Sequence, residues 1–411
     1  MEFMKCPVCE NEKSALLFQT DRFPYIGFAV SKEEKIEILR RYSIKELNAP
    51  LKVKKCTNCG HVFQSMKPND KLMDSIYSEF YNYPSAVISG FIQKRENMFL
   101  DMFNKSVSPI CAEGKLKNIL EIACYDGYVL RELSKRDFLV CGCDPSKGAD
   151  IAKEIGIKVY KRYFKSQDFI AHNSYFDVVI FRHFIEHVEY PVELLKDVKK
   201  VLTKKGLVVF ETPNIEYFLE NGSFESFNFQ HIHGFSISSV CEVLRRSGLK
   251  LIEYKKTPEN LIIIAAETGK AHDVKIDTGN RLGKNFVLEY GRNHKKFKKH
   301  TDPFIKKDKK IAIWGAGGFG GYLFPIYGLD ATRISYIVDI DQRKWDMCFV
   351  NNNLKVYPPE QLISDPVDLI IVASMYDKEI VDQLKDMKID ADVINMRPKV
   401  NYIKGNKSVR K

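Results

Sequence analysis

Between Lys117 and Pro213, strand-like and helix-like segments alternate without a break, and few folds absorb such a pattern. KNILEIA, FLVCGCD, FDVVIFRH and GLVVFETP are short apolar runs, while YVLRELSK, SKGADIAKEIG and PVELLKDVKKVL carry apolar residues at helical spacing. Strands joined through helices pair in parallel, which predicts an α/β domain with a Rossmann-like sheet covered on both faces. The alternation restarts with KKIAIWGAGGFGGYLFPIYG, RISYIVDID and VDLIIVAS. A second, smaller Rossmann-like unit is therefore expected at the C-terminus. No repeat of fixed period relates the two.

The first segment of the chain obeys another pattern. Cys6-Pro7-Val8-Cys9 and Cys56-Thr57-Asn58-Cys59 are paired C-x-x-C knuckles, with Gly60 allowing the second to turn tightly. Four thiolates close a tetrahedral zinc site and leave no open position, so Cys6, Cys9, Cys56 and Cys59 are expected to hold a structural Zn2+. A redox dithiol or an iron site are the other readings of such cysteines. His61 is left out of the ligand set because four sulfurs already complete it. Ser31 is placed to cap a helix running to Leu47. At 411 residues the chain exceeds what one core usually organises. The divisions expected are a zinc-binding domain at 1–70, a central domain at 71–268, a basic linker at 269–309 and the C-terminal unit at 310–411.

The start of the chain lacks a signal-peptide pattern, and the most apolar run, Leu261 to Ala266, is too short to span a bilayer. Cysteines in tight pairs and apolar surroundings suit a reducing compartment, and the expected location is the cytoplasm. A net charge of +11 favours an acidic partner. Much of it, however, lies in Lys284 to Lys310, which reads as a solvated helix or linker rather than a basic face with exposed aromatics. Nucleic acid is thereby disfavoured and a phosphorylated small molecule preferred.

The central strands end in informative turns. The first gives Glu121-Ile122-Ala123-Cys124-Tyr125-Asp126-Gly127, and the second ends in Asp144-Pro145 at the spacing from which an acid reaches ribose hydroxyls. Arg182 and His183 close a third strand, followed by Glu186-His187-Val188, and Lys205 to Asn214 gives the next turn and strand. As a series these resemble the class I methyltransferase pattern, which implies S-adenosylmethionine as cofactor. The resemblance implies contacts from Glu121, Ala123, Tyr125, Asp126, Gly127, Asp144, Pro145 and Arg182. Alanine at 123 stands where that pattern carries glycine, and a positive φ there would cost about 1 kcal/mol.

With its zinc-binding segment and C-terminal unit, the chain resembles the three-part sugar C-methyltransferases that act on nucleotide-linked keto-deoxysugars. Carbon methylation beside a ketone needs a base for the α-proton and donors for the enolate. The resemblance implies three such residues. Tyr83 matches within Tyr81 to Ser85, and His187 matches within Glu186-His187-Val188. His231, the expected general base, matches within Gln230-His231-Ile232-His233-Gly234-Phe235-Ser236, where Gln230 replaces the family's acid. C-methylation of a nucleotide-activated sugar is the expectation. O- or N-methylation of a glycan precursor or secondary metabolite is the alternative. In the last unit Gly315-Ala316-Gly317-Gly318-Phe319-Gly320 and Asp339 formally complete a dinucleotide fingerprint. The resemblance instead implies a substrate-enclosing role without redox chemistry.

Overall fold

The structure, a computed structural model, describes residues 5–66, 68–80, 87, 90–272, 274 and 281–405. It divides into two compact units, each drawn from separate stretches of chain. One comprises Met1–Ala15, Lys54–Tyr217 and Gln230–Asn280; the other comprises Leu16–Val53, Phe218–Phe229 and Arg281–Lys411.

The strands β1 (Ser14–Pro24), β2 (Ala29–Val30) and β3 (Asn48–Cys56) come first, followed by β4 (Val62–Gln64). Between β2 and β3, Ser31 caps the helix Lys32–Arg41 through a capping box with Glu34. The helix is shorter than the pattern predicts, because Tyr42 turns to an extended conformation.

The first unit is built on β5 (Asn118–Ile122), β6 (Leu139–Cys143), β7 (Val159–Tyr160), β8 (Phe176–Arg182), β9 (Leu202–Pro213), β10 (His233–Gly234), β11 (Lys250–Lys256) and β12 (Asn260–Ala266). Seven of these form one sheet in the order β11-β12-β9-β8-β5-β6-β7. It is parallel from β9 to β7, with β12 and β11 antiparallel at one side. Alternate residues supply two cores: Leu120, Ile122, Val179, Phe181, Val208 and Phe210 fill one face, and Ile119, Val178, Ile180 and Val209 the other. Burial on both faces is why these strands read as unbroken apolar runs. The chain runs β5-β6-β7 in one direction and returns to β8 on the other side of β5. The strand ends beside that reversal form the crevice where such sheets take ligands. β10 lies outside this sheet and pairs antiparallel with β4, His233 opposite Phe63.

The second unit contains β13 (Ile311–Trp314), β14 (Tyr336–Val338), β15 (Cys348–Phe349), β16 (Val356–Tyr357), β17 (Leu369–Val372), β18 (Asp392–Asn395) and β19 (Asn401–Ile403). Its six-stranded sheet has the order β16-β14-β13-β17-β18-β19, parallel except for β19. The basic stretch forms a helix, Arg281–Lys306, whose buried face is Leu282, Gly283, Phe286, Asn293, Phe297 and Thr301. Its lysines occupy the remaining turns. Among the described residues no helix is long and apolar enough to cross a membrane.

Candidate active site

The turn after β5 winds through three residues of positive φ, namely Ala123 at 56°, Tyr125 at 46° and Gly127 at 69°. Two are not glycine, so the turn stores strain of about 1 kcal/mol at each. Asp144, buried at the end of β6, holds the turn by accepting the Tyr125 N–H at 2.9 Å, and its other oxygen accepts the Ser146 N–H at 2.7 Å. No cation pairs with Asp144 among the described residues. Asp126 accepts the N–H of Tyr128, which starts the following helix, and that of Val87. The Tyr125 ring lies over Gly148, where a Cβ would approach it to 2.3 Å. Pro145 is half-buried beside Asp144.

Two buried polar atoms near this turn have no hydrogen-bond partner among the described residues: Glu121 Oε2 and Arg182 Nη2. Burial pushes the Glu121 carboxyl well above its ordinary range, with Arg182 pulling the other way. Arg182 is anchored by Glu96 and by Glu211 at 2.9 Å, and its guanidinium lies 4.6 Å from the Phe99 ring centroid. The amino-acid end of S-adenosylmethionine carries one ammonium and one carboxylate. These are the groups that the two orphaned atoms lack, so the residues fit that cofactor.

Beyond β8 the backbone bends through His183, φ 46°, into the short helix Ile185–His187. His187 Nδ1 lies 2.6 Å from the Gln230 carbonyl, which can only accept, so this nitrogen carries the proton and Nε2 is bare. The Tyr77 hydroxyl is 3.1 Å from the same Nδ1. The His187 and His231 rings meet edge to face with centroids 4.9 Å apart. Gln64 fixes the histidine segment from β4: its amide donates to the His231 carbonyl at 2.7 Å, and its backbone N–H to that of Ile232 at 2.9 Å. Likewise His233 Nε2 faces the Val188 carbonyl at 2.8 Å and therefore holds a proton, leaving Nδ1 to accept from His61 Nε2 at 2.9 Å. Burial, reinforced by the neighbouring imidazoles, pulls His231 down to about 3, and burial pulls His233 down to about 4.

The four cysteines are buried together, with Cys6 and Cys59 Sγ atoms 3.7 Å apart and Cys9 and Cys56 3.5 Å apart. Thiolates around a tetrahedral zinc with bonds of 2.3 Å would stand about 3.8 Å apart. The donor set therefore fits zinc. The Asn58 N–H points at Cys56 Sγ at 3.3 Å, and His61 turns to His233 instead of joining the sulfurs.

The structure thus brings Glu121, Ala123, Tyr125, Asp126, Gly127, Asp144, Pro145 and Arg182 to neighbouring strand ends, and His187 to His231. Tyr83 lies outside the described residues. Sequence reasoning missed Gln64 and Tyr77, whose contacts cross more than a hundred positions and leave no local spacing to read.

A methyltransferase-domain family model matches residues 95–254, and a C-methyltransferase C-terminal-domain model matches residues 270–393. The C-methyltransferase NovU of Streptomyces niveus is 22% identical over 268 residues, covering 60% of this chain and 64% of that protein. A tRNA U34 carboxymethyltransferase of Campylobacter jejuni is 28% identical over 186 residues, 41% of this chain and 64% of that protein. The chain thus spans just under two thirds of the length of these curated relatives. A solved S-adenosylmethionine-dependent methyltransferase from Clostridium acetobutylicum superposes with a TM-score of 0.33 at 13% identity, covering 42% of this chain and 99% of that one. Residues 95–254 thus match a methyltransferase domain, and residues 270–393 a C-methyltransferase C-terminal domain that follows it.

Proposed function

We propose that this chain methylates a carbon beside the ketone of a nucleotide-linked keto-deoxysugar, with His231 as general base. The observation that supports this reading best is the meeting of His231 and His187 next to the turn that carries Ile185 to His187, which follows the end of β8. S-adenosylmethionine supplies an electrophilic methyl group and needs no metal for the transfer. Glu121 would take its ammonium, Arg182 its carboxylate and Asp144 its ribose hydroxyls, while Ala123, Tyr125, Asp126, Gly127 and Pro145 shape the turn around it.

Burial disfavours the charged form of His231, so the imidazole stands neutral, the form a general base requires. His187, its Nδ1 proton committed to Gln230, offers a bare Nε2 to orient a sugar hydroxyl. Tyr83 is assigned, with His187, to positioning the substrate, by its match to the family pattern. Cys6, Cys9, Cys56 and Cys59 would hold a structural zinc. Gln230 in place of an acid favours one second reading, O- or N-methylation of a glycan precursor or secondary metabolite.

The test is mass spectrometry of methyl transfer from isotope-labelled S-adenosylmethionine to UDP- and dTDP-linked keto-deoxyhexoses and their reduced counterparts. Carbon methylation that disappears in His231→Ala is expected. Undiminished transfer in that variant removes His231 as base, and label appearing only on oxygen or nitrogen favours the second reading.

A further inference from the structure

Position 230 carries no acid beside His231, yet a carboxylate from another element lies within 4.8 Å of a ring nitrogen of this imidazole. Glu186, in the turn after β8, has a side chain only 2% exposed. Its Oε2 accepts the Thr212 hydroxyl at 3.1 Å. Its Oε1 has no hydrogen-bond donor among the described residues and lies 3.5 Å from His183 Nδ1 and 4.0 Å from His187 Nε2. A Glu186 oxygen and ring nitrogens of His187 and His231 all lie within 4.8 Å of one another.

A buried carboxylate is costly unless a cation and hydrogen bonds compensate it. While the surrounding imidazoles are neutral, Glu186 has, among the described residues, one hydroxyl donor for two oxygens. Once His231 takes a proton, an imidazolium stands within 4.8 Å of the carboxylate, a separation at which opposite charges attract appreciably. A contact that strengthens only as the proton moves lowers the barrier, whereas one equally strong before and after does not.

We propose that Glu186 is the positioning residue that supports His231 as a base, stabilising the imidazolium formed when the α-proton is abstracted. The proposal rests on the reading of His231 as base. The balance is simple: the C–H pair becomes the enolate, the proton moves to the His231 ring nitrogen, and Glu186 stays ionised throughout. Among the described residues, the titratable groups acting on His231 include His187, Glu186 and His183. From β4 it meets the uncharged amide of Gln64, and Tyr77 reaches His187.

The decisive measurement uses full-length protein labelled with 15N-histidine and saturated with S-adenosylhomocysteine. His231, assigned by its loss in His231→Ala, is titrated in wild type, Glu186→Gln and Glu186→Asp. In Glu186→Gln its pKa should fall by about one unit or more, with Glu186→Asp in between. Methyl transfer to the keto-deoxyhexose panel should lose about a hundredfold in kcat in Glu186→Gln with KM little changed, and the acid limb should move to lower pH. Binding of S-adenosylmethionine by calorimetry should be unaltered. A His231 titration that does not respond to Glu186→Gln overturns the proposal, whatever the activity. Full activity in His231→Ala overturns the reading of the base instead. Should Glu186→Gln fail to fold, Glu186→Asp carries the same titration test, and an unmoved His231 there overturns the proposal equally.

Discussion

The turn after β5 and the turn after β13 are wired alike. In each, the aspartate ending the next strand accepts a turn N–H: Tyr125 to Asp144 at 2.9 Å, and Ala316 to Asp339 at 2.8 Å. Their surroundings differ. The first turn, poor in glycine, borders two orphaned polar atoms, and its aspartate carries no cation among the described residues. In the second, rich in glycine, Lys344 sits 3.0 Å from Asp339, and backbone carbonyls crowd Gly315, Gly320 and Gly321 though not Gly317. The Ala29 N–H donates to the Ala316 carbonyl at 3.0 Å, and a Cβ on Gly321 would come within 1.9 Å of the Gly27 carbonyl oxygen. Of the fingerprint glycines themselves, Gly315 and Gly320 are approached by the carbonyl oxygens of Ala373 and Gly315, Gly317 meets nothing among the described residues, and residues 27 to 29 reach only Ala316 and Gly321 beside them.

Four experiments bear on this contrast. Gly321→Ala should destabilise the protein by about 3 kcal/mol in urea unfolding, since the clash is with backbone. Gly317→Ala, with nothing within 4 Å of its Cβ, should stay within about 0.5 kcal/mol. Equal effects at the two glycines would break the contrast. Asp144→Ala should weaken S-adenosylhomocysteine binding about a hundredfold, or about 2.7 kcal/mol, by calorimetry. Asp339→Ala should leave that affinity unchanged, and NAD should give no heat with the wild type. A matching loss from Asp339→Ala would show that both turns serve the cofactor.

The first unit should also be the acid-sensitive one. Unfolded histidine binds its proton near pH 6.5, but burial holds folded His233 down to about 4. Between those values the unfolded state holds more protons, so stability falls as pH falls, by about 1.4 kcal/mol per pH unit from this residue. Unfolding free energies from urea titrations between pH 7 and pH 4.5 should fall at least this steeply, since His231 is lowered as well, and His233→Gln should make the fall shallower. The smallest effect is expected from Ala123→Gly, which relieves the φ of 56° and should gain up to about 1 kcal/mol in thermal unfolding. A loss there would mean the alanine methyl is packed to advantage.

How much of this was legible follows from the range of the contacts involved. β5, β6 and β8 lie within a residue or two of where their apolar runs place them, because strands buried on both faces announce themselves locally. The place of Asp144 at the end of β6 was readable from spacing, and the gathering of the four cysteines from residue type. The positive φ of Ala123 was not, since backbone conformation at a non-glycine leaves no mark in composition. Nor was the link from Gln64 to His231, or the capture of the glycine turn by Gly27 and Ala29, which joins positions nearly three hundred residues apart. The lysine-rich segment read as linker or helix, and the buried Phe286 and Phe297 anchor it as a helix.

The discontinuous make-up of the second unit bears on how the chain is made. Leu16–Val53 leaves the ribosome long before Arg281 and the strands that follow. At synthesis rates of 5–20 residues per second, this segment waits roughly ten seconds to a minute for its partners. Cys6, Cys9, Cys56 and Cys59 emerge early enough to meet one another within that interval. A metal captured then would tie off the loop between the knuckles while the rest of the protein is still unmade, which turns a structural ion into a timing device for biosynthesis. Pulse-chase proteolysis of stalled nascent chains ending near residue 110 would detect it, as protection that appears with zinc and vanishes in Cys59→Ser.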